Sequence, residues 1–348
     1  MTEIGSAAND PRSTGHSPLR AQVPLPVAHH GIVWTELDST GLHRLSALIA
    51  RIEAQDNPPY RTSHAEVVEM LEENRSWRGL AGYATRGIAA GRMVAWAQVV
   101  LRNPGGVECM CQGGVDPAFR RIGLGGAVVE WQEAMSRAML SELDYEGPAQ
   151  IAMQVEPGQS DLEEQLRLRG FHWARTYYEL RADLAKIPPA PDLGRYLTIE
   201  PWGQEWEEPA RRASNLLSEI EWGRPPLTEE QWLMGRSAFE PDWSFVLVDR
   251  RGDRPHVLGF LIASKYVQDW AALGWKEGYI DQMGVLESAR STRGVDALII
   301  ASMGAMAEDG MERIGAGLGS ANHSGALAVY DNLGFATVGQ TRLYAMEV

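Results

Sequence analysis

The stretch Gly113-Gly114-Val115-Asp116-Pro117-Ala118-Phe119-Arg120-Arg121-Ile122-Gly123-Leu124-Gly125-Gly126 leaves little conformational freedom to the chain around it. It reads as a strand that stops at Pro117, then a glycine-studded turn, then a long helix. Glycines at a helix start let an anion come close to the main chain. The free N–H groups of the first turn and the helix dipole favour phosphate there. Arg120 and Arg121 stand at the mouth, where they add charge-assisted contacts. The segment predicts a pyrophosphate site between a strand and a helix.

The surrounding pattern occurs twice. The first half reads as a strand near 32–37, helices near 41–54 and 64–73, strands near 80–84, 92–102 and 107–115, a helix at 123–140, a strand at 150–155, a helix at 161–169 and a last strand from Phe171. The second half repeats the order, from a strand at 197–201 through helices at 205–220 and 228–238, strands at 245–249, 256–266 and 278–285, a helix at 292–308, a strand at 313–317, a helix at 324–332 and a strand from Phe335. Gly170-Phe171 matches Gly334-Phe335, and Val115 matches Val285. That period is too long for a solenoid, so it predicts one domain in tandem. The expected layout is a tail over 1–28, domains at 29–184 and 196–348, and a proline-rich linker over 185–195, the whole stretch 181–192 looking like a linker because three prolines in four positions stiffen it and break any sheet.

Charge and cysteine content narrow the function. A net charge of −14 argues against non-specific nucleic-acid binding and fits mildly with a cationic substrate. No apolar run approaches the roughly 20 residues needed to span a membrane. The first 25 or so residues lack the apolar core of a signal peptide. Cys109 and Cys111, two apart in a strand, point to one face and are poorly placed to bridge. A reduced, cytoplasmic protein is expected. His64, His172, His256 and His323 show no ligand spacing, so no metal is expected.

The pattern Val115-x-Pro117-x-x-Arg120-x-x-Gly123-x-Gly125 resembles the acyl-CoA motif of the GCN5-related N-acetyltransferases. The run Gly325-Ala326-Leu327-Ala328-Val329-Tyr330-Asp331-Asn332-Leu333-Gly334-Phe335 resembles that family's last helix. With Lys276–Ile280 ahead of the second motif, residues 30–348 resemble its tandem, actinobacterial type. The resemblance implies an α/β fold, a mixed sheet that splays after its fourth strand in each of two GNAT domains. Acetyl-CoA would serve as co-substrate, its pantetheine arm pairing at Val115 and its pyrophosphate held by Arg120, Arg121, Ile122, Gly123, Leu124, Gly125 and Gly126. The reaction implied is acetyl transfer to the primary amine of a small molecule: an aminosugar, a mycothiol-type precursor or an antibiotic amine. The amine must lose a proton before it attacks. In the second half, ungapped from Val285, Arg290 keeps the arginine but Arg293 and Val295 replace the glycines, so weak or no CoA binding is expected there.

Two residues stand out as catalytic candidates. Glu108 lies in the strand before the motif, where relatives place a general base, seven residues before Val115 instead of the usual six. Tyr330 matches the family's general acid but lies in the half with the poorer motif, where packing or acceptor binding is the other reading; Leu166 holds that place in the first half. Asn322 matches the asparagine that opens the last helix, or is a helix cap. Tyr177 and Tyr178 offer hydroxyls or packing, and Trp222, Trp270 and Trp275 offer packing or acceptor contacts. The acidic group Glu205, Glu207, Glu208, Glu219 and Glu221 reads as a solvated helix face or as an attractant for polyamine. A non-catalytic acyl-CoA sensor, or an acyl-CoA hydrolase or decarboxylase on the same fold, is the alternative.

Overall fold

The computed structural model describes residues 21–72, 76–102, 107–143, 145–222, 226–290, 292–320 and 324–348. The first half runs β1 (Ile32–Glu36), α1 (Leu42–Asp56), α2 (His64–Met70), β2 (Trp77–Ala84), β3 (Met93–Arg102), β4 (Val107–Val115), α3 (Leu124–Ser141), β5 (Ala149–Val155), α4 (Ser160–Leu168) and β6 (His172–Asp183). The second runs β7 (Leu197–Pro201), α5 (Gln204–Trp222), α6 (Glu229–Leu233), β8 (Phe245–Asp249), β9 (His256–Ser264), α7 (Trp270–Leu273), β10 (Glu277–Val285), α8 (Glu287–Arg290), α9 (Gly294–Glu308), β11 (Arg313–Gly319), α10 (Ser324–Asn332) and β12 (Ala336–Glu347). Helix α6 is shorter than its apolar pattern predicts: the chain is already extended at Met234, and Gly235 follows with φ 70°. Short helices α7 and α8 carried no periodicity long enough to read.

All twelve strands form one sheet, ordered β1-β2-β3-β4-β5-β12-β6-β11-β10-β9-β8-β7. The order is a palindrome of the two halves, with the last strand of each exchanged. β12 pairs antiparallel with β5 and with β6, and β6 pairs with β11. The expectation that each final strand closes its own half is therefore corrected. Tyr344 of β12 is buried in the first half's core, whereas Leu180 and Ala182 of β6 are buried in the second's. The reading of Arg181–Asp183 as linker is corrected as well, since these residues pair with Arg313–Gly315. The prolines begin only at Pro188, and Arg181 is 9 % exposed and bonds Glu277, itself 6 % exposed, at 2.7 Å. Removing one member of a buried pair strands the other's charge. Arg181→Met is expected to cost about 3–5 kcal/mol, read as a lower urea midpoint.

Alternation along paired strands assigns the faces. One face carries Cys109, Cys111, Met153 and Tyr344 under α3, and Leu180, Ile314 and Ala316 under α9 and α10. The opposite face carries α1 and α2 in the first half and α5 and α6 in the second. At its centre lie Met110, Ala152, Leu343, Ala345 and Tyr177. The halves also meet through loops: Arg61 N donates to Asp269 at 2.6 Å, Gln268 Nε2 to Glu66 at 3.0 Å and Ser237 N to Glu69 at 2.8 Å. Of the segment read as a tail, residues 1–20 lie outside the described residues. The part from residue 21 packs, with Ala21 5 % exposed in the first core.

Candidate active site

Strands β4 and β5 are parallel and pair from Val107↔Ala149 to Cys111↔Met153. Beyond that point β4 continues to Val115 while remaining paired with β3. The edge Gln112–Val115 thus faces a fork between two central strands. At the mouth of the fork the turn is held from below. Asp116, 2 % exposed, caps Ala118 N at 3.1 Å and takes the Arg51 guanidinium at 2.7 Å, which anchors the turn to α1. Arg121 adopts φ 66° and Gly123 φ 89°, two left-handed residues that swing the chain into α3.

The start of α3 suits a diphosphate. No side chain caps it among the described residues, and no acidic residue lies in its first turn. A Cβ built on Gly123, Gly125 or Gly126 meets no atom within 4 Å, so open space lies above them. Leu124 is buried beneath, and Ile122 packs on the core beside it. Both arginines pair with carboxylates. Arg120 donates to Val115 O at 3.2 Å and to both carboxylate oxygens of Asp56 at 2.7 Å, bracing the turn. Arg121, largely exposed, pairs with Asp161 at 2.6 Å.

The second half shows the same frame with a closed cradle. Parallel pairing of β10 and β11 ends at Ile280↔Ala316, and Arg290 Nε reaches Val285 O at 3.4 Å, as Arg120 reaches Val115. Arg293 takes the left-handed place of Gly123 with φ 59°. Its guanidinium bonds Asp296 at 2.9 and 3.0 Å, so a carboxylate occupies the helix start.

The other candidates are dispersed. Glu108 lies on the α1 face with Met110 and Gln112, because β4 runs against β3 without a bulge. It is 6 % exposed, accepts Gln150 Nε2 at 2.6 Å and sits in the paired part of β4. Four residues separate it from Gln112, about 13 Å at the usual strand rise. Tyr330 is 5 % exposed in the second half's core, edge-on to Phe335 at 5.0 Å, and burial lifts its phenol to about 12. It lies in the second half, away from the fork of the first, and its packing against Phe335 fits the packing alternative. Cys109 and Cys111 are free and buried against Ser136, and burial pushes both thiols up to about 12, which leaves them unreactive. Trp270 and Trp275 donate to the main chain and carboxylate of Glu277. Glu207 is held by Trp202, Trp232 and Arg236, and Glu208 by Arg211 and Arg212. Asn322, His323 and the side chains of Glu219, Glu221 and Trp222 lie outside the described residues.

The sequence reading missed the residues on the far arm of the first fork. Glu156 follows the last residue of β5, opposite Gln112–Val115, and accepts Thr341 Oγ1 of β12 at 3.0 Å. Burial raises its carboxyl above the ordinary range, and the Thr341 bond partly offsets this. Tyr60, exposed at the rim but hemmed in by protein, has its phenol pushed up to about 12, first by loss of water and then by Glu156, Glu53, Asp56 and Asp269. The turn Glu156-Pro157-Gly158 carried a signal in its carboxylate ahead of a breaker pair; Thr341 carried none, since only strand exchange delivers it.

Between the halves the acidic groups crowd one another. Loss of water lifts Asp269 to about 6, opposed by the Arg61 N–H and assisted by Glu66, Glu277 and Glu53. Between the ordinary 3.8 and about 6 the folded chain holds a proton that the unfolded chain has released. Stability from this group therefore falls as pH rises through that window, and the full penalty applies above it. Asp269→Asn keeps an acceptor for Arg61 and is expected to raise the melting temperature by roughly 1–3 °C at pH 8 and by less at pH 5.

No protein-family model matches the sequence, and no curated protein matches it. Solved structures do. A GCN5-related N-acetyltransferase from Sphaerobacter thermophilus superposes with a TM-score of 0.68 at 21 % identity, over 93 % of this chain and 97 % of that one. A tandem GNAT protein from the clavulanic acid biosynthesis pathway gives 0.65 at 14 %, over 91 % and 98 %. A glucosamine N-acetyltransferase region of a fungal multi-domain GH3 β-N-acetylglucosaminidase gives 0.64 at 13 %, over 92 % of this chain and 38 % of that one. Among the described residues no helix is long and apolar enough to cross a membrane. The mixed sheet with its two forks, flanked by helices on both faces, is thus a GNAT fold, shared with a tandem GNAT structure.

Proposed function

We propose that this protein is an acyl-CoA-dependent N-acyltransferase acting on the primary amine of a small molecule, with acetyl-CoA as donor held by the first half. The observation that carries the reading is the asymmetry of the two forks: one opens beside an uncapped, glycine-lined helix start, the other beside a helix start filled by Arg293 and Asp296. When bound, acyl-CoA supplies an activated thioester. The edge Gln112–Val115 would hold its amide arm, and the first turn of α3 from Gly123 to Gly126 its diphosphate. Arg120 and Asp116 keep the turn in place.

The amine enters from the face that carries α1 and Tyr177, opposite α3. Glu156 on the far arm takes its proton, since a carboxyl raised by burial is a better base near neutral pH than an ordinary one. Tyr60 stays protonated and offers a hydroxyl at the rim. Glu108, engaged by Gln150 lower on the same face, reaches the fork only through water. The acidic surroundings favour a cationic acceptor, and an aminosugar is consistent with the glucosamine-acetylating neighbour. The test is release of free CoA thiol over a panel of amines. Acceptor-dependent release is expected, and Glu156→Gln should lower kcat by about 10²-fold with coenzyme affinity unchanged. Tight coenzyme binding without release would favour a sensor, and release without any amine a hydrolase or decarboxylase.

A further inference from the structure

A loop that starts at the mouth of the first fork is held in place by the second half. The last turn of α1 lies against β4, since a Cβ built on Gly114 would stand 2.7 Å from Ile52 Cδ1. Helix α1 ends at Asp56, whose two carboxylate oxygens take Arg120 of the turn after β4. The loop 57–63 therefore leaves α1 beside the fork and returns to α2 at His64. Tyr60 is its midpoint and stands exposed at the rim.

Pro58 and Pro59 bring no N–H to this loop, so few main-chain donors can fix it. Three successive ones do. Arg61 N donates to Asp269 at 2.6 Å, Thr62 N to Glu53 at 3.0 Å and Ser63 N to Glu66 at 2.7 Å. Glu53 and Glu66 belong to α1 and α2, whereas Asp269 comes from the second half. Its neighbour Trp270 is anchored there, the indole donating to Glu277 O at 2.9 Å. Gln268 Nε2 also reaches Glu66, at 3.0 Å. The Arg61 guanidinium folds back on Pro58 O at 2.6 Å, Tyr60 O at 2.7 Å and Asn57 Oδ1 at 2.7 Å. One bond to Arg61 N therefore fixes the turn that carries Tyr60.

We propose that Asp269 is a positioning residue for the site of the first half: through Arg61 N–H it holds loop 57–63, with Tyr60, at the side of the fork from which the amine enters. The second half, whose own cradle is closed, thus completes the acceptor side of the first. This rests on the acyl-transfer reading, so the test has one arm that needs no turnover. Asp269→Ala in the full chain removes the acceptor. It also removes a carboxylate crowded by Glu66, Glu277 and Glu53, so the fold is kept. Hydrogen exchange at the amides of residues 60–63 should quicken about tenfold or more. KM for the amine should rise about tenfold, with kcat within about threefold and acetyl-CoA affinity unchanged. Asp269→Asn keeps an acceptor for Arg61 N and should restore both, which a role in charge alone would not do. A wild type that releases no thiol with any amine defeats the acyl-transfer reading, and the exchange comparison still decides whether Asp269 holds the loop. Unchanged exchange in Asp269→Ala, freed amides with KM unmoved, or alanine and asparagine variants that behave alike would overturn the proposal.

Discussion

Gly125→Glu is expected to weaken the proposed acetyl-CoA binding about a hundredfold while leaving the fold intact. Gly125 lies in the first turn of α3, and a Cβ there meets no atom within 4 Å, so the substitution needs no rearrangement. It places a carboxylate where the helix dipole and free N–H groups would meet the diphosphate, replacing attraction by repulsion. A weakening of about a hundredfold is expected, roughly 2.8 kcal/mol. Gly125→Ala separates charge from bulk. It should cost less than about tenfold in affinity and raise helix stability by about 0.5–1 kcal/mol. Calorimetric titration with acetyl-CoA reads both variants. Unchanged affinity in Gly125→Glu would move the coenzyme out of the first half and overturn the proposed function.

Ending the chain at Phe335 should unfold the half from which nothing was removed. That truncation deletes β12, which lies between β5 and β6 and buries Tyr344 in the first core and Leu343 and Ala345 beneath the sheet. Each such apolar side chain contributes about 1.5–3 kcal/mol, and two ladders of main-chain bonds go with them. Against a total stability of about 5–15 kcal/mol for an ordinary domain, the loss is decisive, and the bared edges of β5 and β6 invite aggregation. Scanning calorimetry should show one cooperative transition for the full chain and none for the truncated one. Two transitions in the full chain, one surviving truncation, would show that the halves are energetically separate despite the shared sheet.

Much of this was legible from local chemistry. The strand to Val115, the stop at Pro117 and the helix from Leu124 follow from propensity and turn residues that need no distant partner. The sealed second cradle was legible too, since Arg293 and Val295 stand where glycines are required. What failed were the expectations about which half each last strand joins and what that places beside it. Arg181 reads as linker because of the prolines that follow it, and it becomes buried when β10 brings Glu277 beside it. Tyr330 reads as a general acid or as packing by position within its motif, and it packs in the core of the second half. Thr341 reads as an ordinary strand residue, and strand exchange sets it against Glu156.

The sequence by itself determined the elements, their repetition and the glycine-lined start of α3, because capping, turn formation and glycine conformation are settled within a few residues of chain. Only the tertiary structure decided that the halves share a sheet by exchanging their last strands, and which side chains therefore line each fork. Strand pairing is a contest among edges far apart in sequence, won by total buried area and hydrogen bonding, and no local pattern encodes its outcome.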